Sequence, residues 1–405
     1  MENWEIKKLG DVTQICLGLT HTPEYTKEGV PFISVKDISS GTLSFNQAKR
    51  ISRQEFDTMP WGAKPKKNDV LFCRVGTIGI PQIVETDEDF GIFVSVGFFR
   101  PYNCLYNHFL KYWLFSNMFF QQVDENVVGS TIKNLNTGWL KNFTIPLPPL
   151  EEQKRIVKIL DEKFAMLETV KANAKTNLQN AKDLFQSQLT KAFSNTTWEK
   201  KRLGEVAELI SGYAFESKKY STDENDTLLV CGDNIMHCSF RWETIKRWPK
   251  NEYEELKRFE LKDSDIVLAM DRPWIKSGLK ISKITENELP SLLVQRTAAI
   301  RTENKNLSSY LYYALQEDNF SKYLIDQQTG VGVPHISGKQ ILNYEIRFPL
   351  SPNTRSEDLE LRGIVEQLDS LSEKVRSLEE IYTKQLANCD ELKQAFLAKA
   401  FAGEL

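Results

Sequence analysis

The most regular pattern of apolar positions lies between residues 149 and 193, where no Gly or Pro follows Pro149. Val157, Leu160, Phe164, Leu167, Ala174, Leu178, Ala181, Phe185 and Ala192 keep a three-four spacing, broken only by Lys171 and Gln188. Pro149 suits a first helical position, and Glu151 and Glu152 complement the positive end of the helix dipole. A second such stretch opens with the capping-box pattern of Thr354 and Glu357. It places Val365, Leu368, Val375, Tyr382, Leu386, Cys389, Phe396 and Ala400 on the equivalent positions, with Ser372, Glu379 and Lys393 as polar interruptions. Gly363 costs its first turns roughly 1 kcal/mol relative to Ala. At about 1.5 Å per residue each helix runs on the order of 65 to 70 Å. Neither buries its stripe alone: the two pack together within the chain, or each recruits an external helix. Linkage in one chain raises their effective concentration and favours an intramolecular antiparallel coiled coil. Its expected interface is Val157, Leu160, Phe164, Leu167, Leu178 and Phe185 against Val365, Leu368, Val375, Tyr382, Leu386 and Phe396.

Outside these stretches the period shortens. Runs at 32–35, 70–72, 93–99, 228–230 and 266–269 have strand composition between Gly, Pro and Asp-Ser punctuation, whereas 109–120 and 309–319 predict short amphipathic helices. The order of elements repeats once. WEIKKLGDV from Trp4 returns as WEKKRLGEV from Trp198; Asp69-Val70-Leu71 is answered by Asp265-Ile266-Val267. Arg100, Gly129, Leu135, Ile145 and Pro148 find Arg301, Gly330, Ile336, Ile346 and Pro349 at a constant shift of 201. Ile156-Val157, Leu160-Asp161, Leu189 and Lys191-Ala192-Phe193 find Ile364-Val365, Leu368-Asp369, Leu397 and Lys399-Ala400-Phe401 at a shift of 208. The expected fold is therefore α+β: two mixed α/β domains, 1–148 and 197–353, joined by two long helices, 149–196 and 354–405, that form an antiparallel coiled coil and relate the domains by a pseudo-twofold internal repeat. Similarity survives at the edges of each repeat and fades in the middle, as in two readers of different targets or as neutral loop drift leaves it.

Composition narrows the chemistry. The 405 residues carry 52 Lys and Arg against 55 Asp and Glu, so a nucleic-acid surface must come from local clustering. The six cysteines are scattered with no C-x-x-C pair, there is no signal-like start, and no apolar run approaches a bilayer span, all of which point to the cytoplasm and away from a membrane. No glycine-rich S-adenosylmethionine loop or Asn-Pro-Pro-aromatic site is present, since Pro148-Pro149 sits between Leu147 and Leu150. Gly338-Lys339 fails as a phosphate loop because Gly332 is one residue too far upstream and Gln340 replaces the Ser or Thr that would bind magnesium; it is expected to be a turn. The Glu-x-Lys triplets at Glu5, Glu255 and Glu391 arise readily in a chain that is 26% charged, and His21, His108, His237 and His335 show neither metal-ligand spacing nor a nucleophile motif. No catalytic residue and no metal are expected.

Basic residues cluster twice. Lys49, Arg50, Arg53, Lys64, Lys66, Lys67 and Arg74 surround Trp61 and outnumber Glu55, Asp57 and Asp69; Arg241, Lys246, Arg247, Lys250, Lys257, Arg258, Arg272, Lys276, Lys280 and Lys283 form a looser group around Trp242, Trp248 and Trp274. Such cations supply salt-dependent affinity for phosphates, and those reaching base edges supply discrimination.

The two WE-x-K-x-LG openings, RVGTIG at 74–79, GSTIKNLN at 129–136, IPLPPLEEQKRIVKILD at 145–161 and LAKAFAGEL at 397–405 together resemble the specificity subunits of type I restriction-modification systems, over essentially the whole chain. The resemblance implies two target recognition domains, each reading half of a split double-stranded DNA site, and a helical pair that docks two methyltransferase subunits. It implies that S-adenosylmethionine, ATP and magnesium are used by those modification subunits and by restriction/translocase subunits, with none bound by this chain. By position it makes Arg74, Thr77, Ser130, Thr131 and Lys133 DNA-side candidates beside Lys64, Lys66 and Lys67, with Lys257, Arg258, Arg272, Lys276 and Lys280 in the second domain. The second domain departs from the pattern, with Asp271-Arg272-Pro273-Trp274 where the first has Arg74-Val75-Gly76-Thr77, and Val331-Gly332-Val333 where it has Ser130-Thr131-Ile132. A coiled-coil adaptor, a specificity module of another methyltransferase or nuclease assembly, and a stand-alone nuclease are the alternatives.

Overall fold

A computed structural model of the chain describes residues 4–39, 41–75, 78–126, 135–252, 254–327, 334–349 and 354–405. It divides into two compact units, one made of Met1–Lys175 with Thr383–Leu405 and the other of Thr176–Tyr382. Each unit thus takes part of both long helices, Leu150–Phe193 and Thr354–Ala402.

In the first unit, Glu5–Lys8 pairs antiparallel with Thr144–Leu147 and closes the globular part next to the long helix. A four-stranded antiparallel sheet runs in the order Thr13–Leu17, Val96–Pro101, Val70–Cys73, Gly79–Ile83. Val70–Cys73 is buried at every position, which explains its unbroken apolar run in a central strand. A second sheet runs Tyr25–Thr26, Lys49–Ile51, Val30–Ile33, Gly91–Ile92, its last pair parallel. The second unit repeats this plan. Glu199–Arg202 pairs with Glu345–Phe348; one sheet runs Glu208–Ser211, Thr297–Arg301, Ile266–Ala269, Ile281–Lys283; another runs Arg247–Trp248, Thr227–Val230, Ser291–Leu293, again with a parallel last pair.

The central ladder of each unit is pinned by the same ion pair. Val70 faces Phe99, so Asp69 and Arg100 are the next cross-strand partners: Arg100 Nε donates to Asp69 Oδ1 at 2.8 Å and Nη2 to Oδ2 at 2.6 Å. Ile266 faces Ile300, and Arg301 meets Asp265 through the same two bonds at 2.9 and 2.6 Å. The carboxylate side chains are only 3% and 2% exposed, so each needs its bidentate partner. Both carboxylates also accept a main-chain N–H from three residues upstream, Lys66 and Lys262, which tightens the turn into the strand.

A glycine makes the crossing between the two sheets. A Cβ on Gly18 would lie 2.2 Å from the Phe93 carbonyl oxygen, and one on Gly212 would lie 1.9 Å from that of Val294. The following residues, Leu19 and Tyr213, bridge in parallel to Phe93 and Val294.

The expected helix at 109–120 is two helices, Asn107–Leu114 and Asn117–Asn126. Ser116 ends one and starts the other: its hydroxyl donates to the Trp113 carbonyl and accepts from Phe119 N. The second unit has the same break, Lys305–Ala314 then Asp318–Gln327. The expected turn at Gly338-Lys339 is instead a short helix, Gly338–Leu342, because Ser337 and Gln340 form a capping box across it. The side chains of Thr354 and Glu357 lie outside the described residues.

The long helices run antiparallel within each unit. In the first, Arg155 Nη2 donates to the Leu405 carbonyl, Glu168 meets Lys393 at 3.5 Å and Lys171 pairs with Asp390, so one index falls as the other rises. Val157, Leu160, Phe164, Val365, Leu368 and Val375 are buried; Leu167, Leu178, Phe185, Tyr382, Leu386 and Phe396 are half-buried. The seam is not purely interhelical, however. Val157, Leu160 and Phe164 share one core with Phe109, Trp113, Leu397 and Phe401, and Val365 and Leu368 share one with Tyr310, Tyr313, Leu189 and Phe193. A tyrosine ties each globular part to its helix: Tyr112 donates to Asp161, and Tyr313 to Asp369 at 2.5 Å. Burial and the adjoining carboxylate push both phenols well above their ordinary pKa, so both remain donors.

Arg301→Ala leaves the buried Asp265 carboxylate unpaired and is expected to destabilise the second unit by about 3–5 kcal/mol in urea unfolding, with Arg301→Met/Asp265→Leu recovering most of the loss. Gly212→Ala is expected to cost at least about 1–3 kcal/mol, read as a lowered Tm, because the added methyl meets main chain and not a movable side chain.

Candidate nucleic-acid interface

In the first unit most of the expected basic surface is spent internally. Lys49 sits 3.8 Å over the Tyr25 ring, Arg50 donates to the Gly29 carbonyl at 2.7 Å, and Arg53 pairs with Asp89 at 2.6 Å and Asp57 at 3.0 Å. Lys64 donates to the Asp57 carbonyl and packs over Phe56, and Lys67 pairs with Asp87 at 2.7 Å. Arg74 is a framework residue: its Nε donates to the Leu135 carbonyl at 2.6 Å and Nη1 to that of Val94 at 3.3 Å. Lys66 is exposed, and Trp61 is 57% exposed. Thr77, Ser130, Thr131 and Lys133 lie outside the described residues.

The second unit holds a better-formed feature. A cleft of about 330 Å³ is lined by Cys231, Gly232, Asp233, Lys246, Asp271, Arg272, Lys280, Gln295 and Arg296. Four cations thus face two carboxylates. Of the expected basic residues it gathers Lys246, Arg272 and Lys280, and Lys280 Nζ is already donating to the Gly232 carbonyl at 2.8 Å. Lys257, Arg258 and Lys276 are exposed but do not line it, and Arg258 stacks over the neighbouring Phe259. Of the interleaved tryptophans, Trp248 is buried in the core and Trp242 stacks on Phe240, so neither is a free base-stacking surface.

Sequence reasoning missed Arg296, whose side chain is 71% exposed and whose Nη1 lies 3.2 Å from Asp271 Oδ2. It also missed that His335 Nδ1 approaches the other Asp271 oxygen at 2.5 Å. Both arginines of the cleft have left-handed backbones, Arg272 at φ +46° and Arg296 at φ +65°. Non-glycine residues pay for that conformation and keep it where the surroundings over-determine it. Around them, Met270 N donates to the Arg296 carbonyl, Ile336 N to the Met270 carbonyl and Arg272 N to the Pro334 carbonyl, at 2.9, 2.9 and 3.0 Å.

The first unit has the same junction. Arg74 N donates to the Ser95 carbonyl and Leu135 N to the Arg74 carbonyl, at 2.9 and 3.0 Å. Met270 therefore stands where Arg74 stands, one residue before the Asp271 that motif alignment had matched to it, and Asp271 matches Val75. Arg296 occupies the place of Ser95.

The cleft has donors suited to anionic or carbonyl-rich edges. Among the described residues no group of three or more His, Cys, Asp and Glu side chains is placed to hold a metal ion, and no helix is long and apolar enough to cross a membrane. The buried Cys16 and Cys73 thiols are pushed up to about 11 by desolvation, which keeps them protonated and inert.

A family profile described as the type I restriction modification DNA specificity domain matches residues 1–179 and 195–384. The type I restriction enzyme MjaVIII specificity subunit of Methanocaldococcus jannaschii is 25% identical over all of this chain and 93% of its own length. Among solved structures, a chain from a study of complex assembly and conformational transition in the type I R-M system superposes with a TM-score of 0.76 at 20% identity, covering 100% of this chain and 99% of that one. The HsdS subunit from Thermoanaerobacter tengcongensis does so at 0.54 and 22%, covering 100% and 98%. With the profile falling on both repeats and the fold shared end to end, the chain belongs to the type I restriction-modification DNA specificity family, as a specificity subunit.

Proposed function

We propose that the chain reads a bipartite duplex target, one half per unit, and performs no chemistry itself. The observation that carries this reading is the paired junction: two units with the same hydrogen-bonded frame present Val75 and Ser95 in one and Asp271 and Arg296 in the other. A common frame with different donors is what reading two different base sequences requires.

In this reading the long helices hold two methyltransferase subunits and, with them, restriction/translocase subunits. S-adenosylmethionine, ATP and magnesium then belong to those partners, and the assembly works in the cytoplasm, where the host's DNA lies. The cations of the second-unit cleft supply salt-dependent attraction to the duplex, and the first unit, whose basic side chains are mostly engaged within their own fold, leans more on neutral donors such as Ser95.

Replacing 197–353 with the equivalent segment of a relative, and sequencing the modified bases of a host that carries the chimaera with its modification subunit, is expected to change one half of a split motif and leave the other intact. A contiguous motif, or a change in both halves, would contradict the reading.

A further inference from the structure

We propose that Arg296, braced by Asp271, reads a guanine in the half-site of the second unit. The inference deepens the proposed function and rests on it. Guanine offers two acceptors, O6 and N7, in the major groove, and the guanidinium fork matches them with two parallel N–H bonds. Arg296 is placed for this. Its guanidinium is 71% exposed, while Asp271, only 23% exposed, holds Nη1 at 3.2 Å and leaves the remaining N–H groups for a ligand. His335 on the far oxygen of Asp271 keeps that carboxylate from rotating away. Asp271 and His335 are positioning residues; neither needs to touch a base.

Arg296 combines an exposed guanidinium with a constrained starting point. A long side chain on a mobile surface loses rotamer freedom when it docks, which weakens discrimination. Arg296 instead springs from a two-residue turn locked by its carbonyl's bond to Met270 N, between the bridge at Val294 and the strand Thr297–Arg301. Arg272, Lys246 and Lys280 line the same cleft and complete a positive mouth through which a phosphate-lined edge approaches. Asp233 and Asp271 temper that attraction and disfavour a purely electrostatic contact, because a carboxylate against the fork repels phosphate more than it repels a neutral base.

The test compares wild type with Arg296→Lys and Asp271→Asn in the complete complex with its modification subunit, expressed in a host whose genome is then sequenced for modified bases. Lysine keeps the charge and loses the fork. Arg296→Lys is expected to relax one guanine position in one half of the motif, lowering the preference for guanine by roughly ten- to a hundredfold. Asp271→Asn relaxes the same position less. The half read by the first unit stays unchanged and reports that the protein is folded. An unaltered motif with Arg296→Lys overturns the inference alone. So does a uniform fall in modification across all sites, or its complete loss, since a phosphate contact or a structural role behaves that way. A wild-type complex without a split motif overturns the proposed function, and the inference with it.

Discussion

A carboxylate sealed at the foot of a central strand has to be neutralised, and the rest of each unit is arranged around doing so. Asp69 and Asp265 each end a turn, start a buried strand and meet an arginine directly across the antiparallel ladder. Slipping the register by one residue would part the fork from the carboxylate and turn the strand's apolar side chains over at the same time. Such a pair adds little net stability over a well-packed apolar one, but it penalises every alternative pairing. A domain whose loops must vary needs a frame that cannot vary with them.

The same division of labour governs the helices. Their stripes were expected to pack on each other or on an external helix. Instead the two ends of the paired helices are wedged into the globular cores, where Tyr112 and Tyr313 fasten them to Asp161 and Asp369. One equivalence is broken. Gln153, fully buried, donates to the Cys104 and Pro148 carbonyls and accepts from Tyr106 N, whereas the position 208 residues on is Leu361, also buried. The two joints between domain and helix are therefore built differently, one by saturating main-chain groups and the other by apolar packing.

Much of this was legible in the residues because it repeats. Matching Asp69 to Asp265 and Arg100 to Arg301 picked out, without knowing it, the two halves of the buried ion pair, and the three-four spacing located both long helices. Other features could not be seen. The break at Ser116 is braced by a hydroxyl that bonds in both directions, while Glu317 stands at the matching break of the second unit, and the helix at Gly338 rests on a cap that also looks like the start of a turn. The near-contact at Gly212 is a matter of where a distant carbonyl falls, although a glycine standing at the same place in both repeats, Gly18 and Gly212, was a usable signal.

The interface was the least legible part, for a reason of physics. Counting Lys and Arg finds charge but not what the charge is already doing, and in the first unit Lys49, Arg50, Arg53, Lys64, Lys67 and Arg74 all face partners within their own fold. The motif RVGTIG drew attention to Arg74 because it is built into the junction, which is why it serves the frame and not the ligand. The side chains left to meet a ligand are those that the frame does not use. Arg296 belongs to that class, and nothing in a sequence marks it: it stands outside both basic clusters, its carboxylate partner lies 25 residues away, and the Met270 N–H that holds its carbonyl comes from a segment that only folding brings alongside.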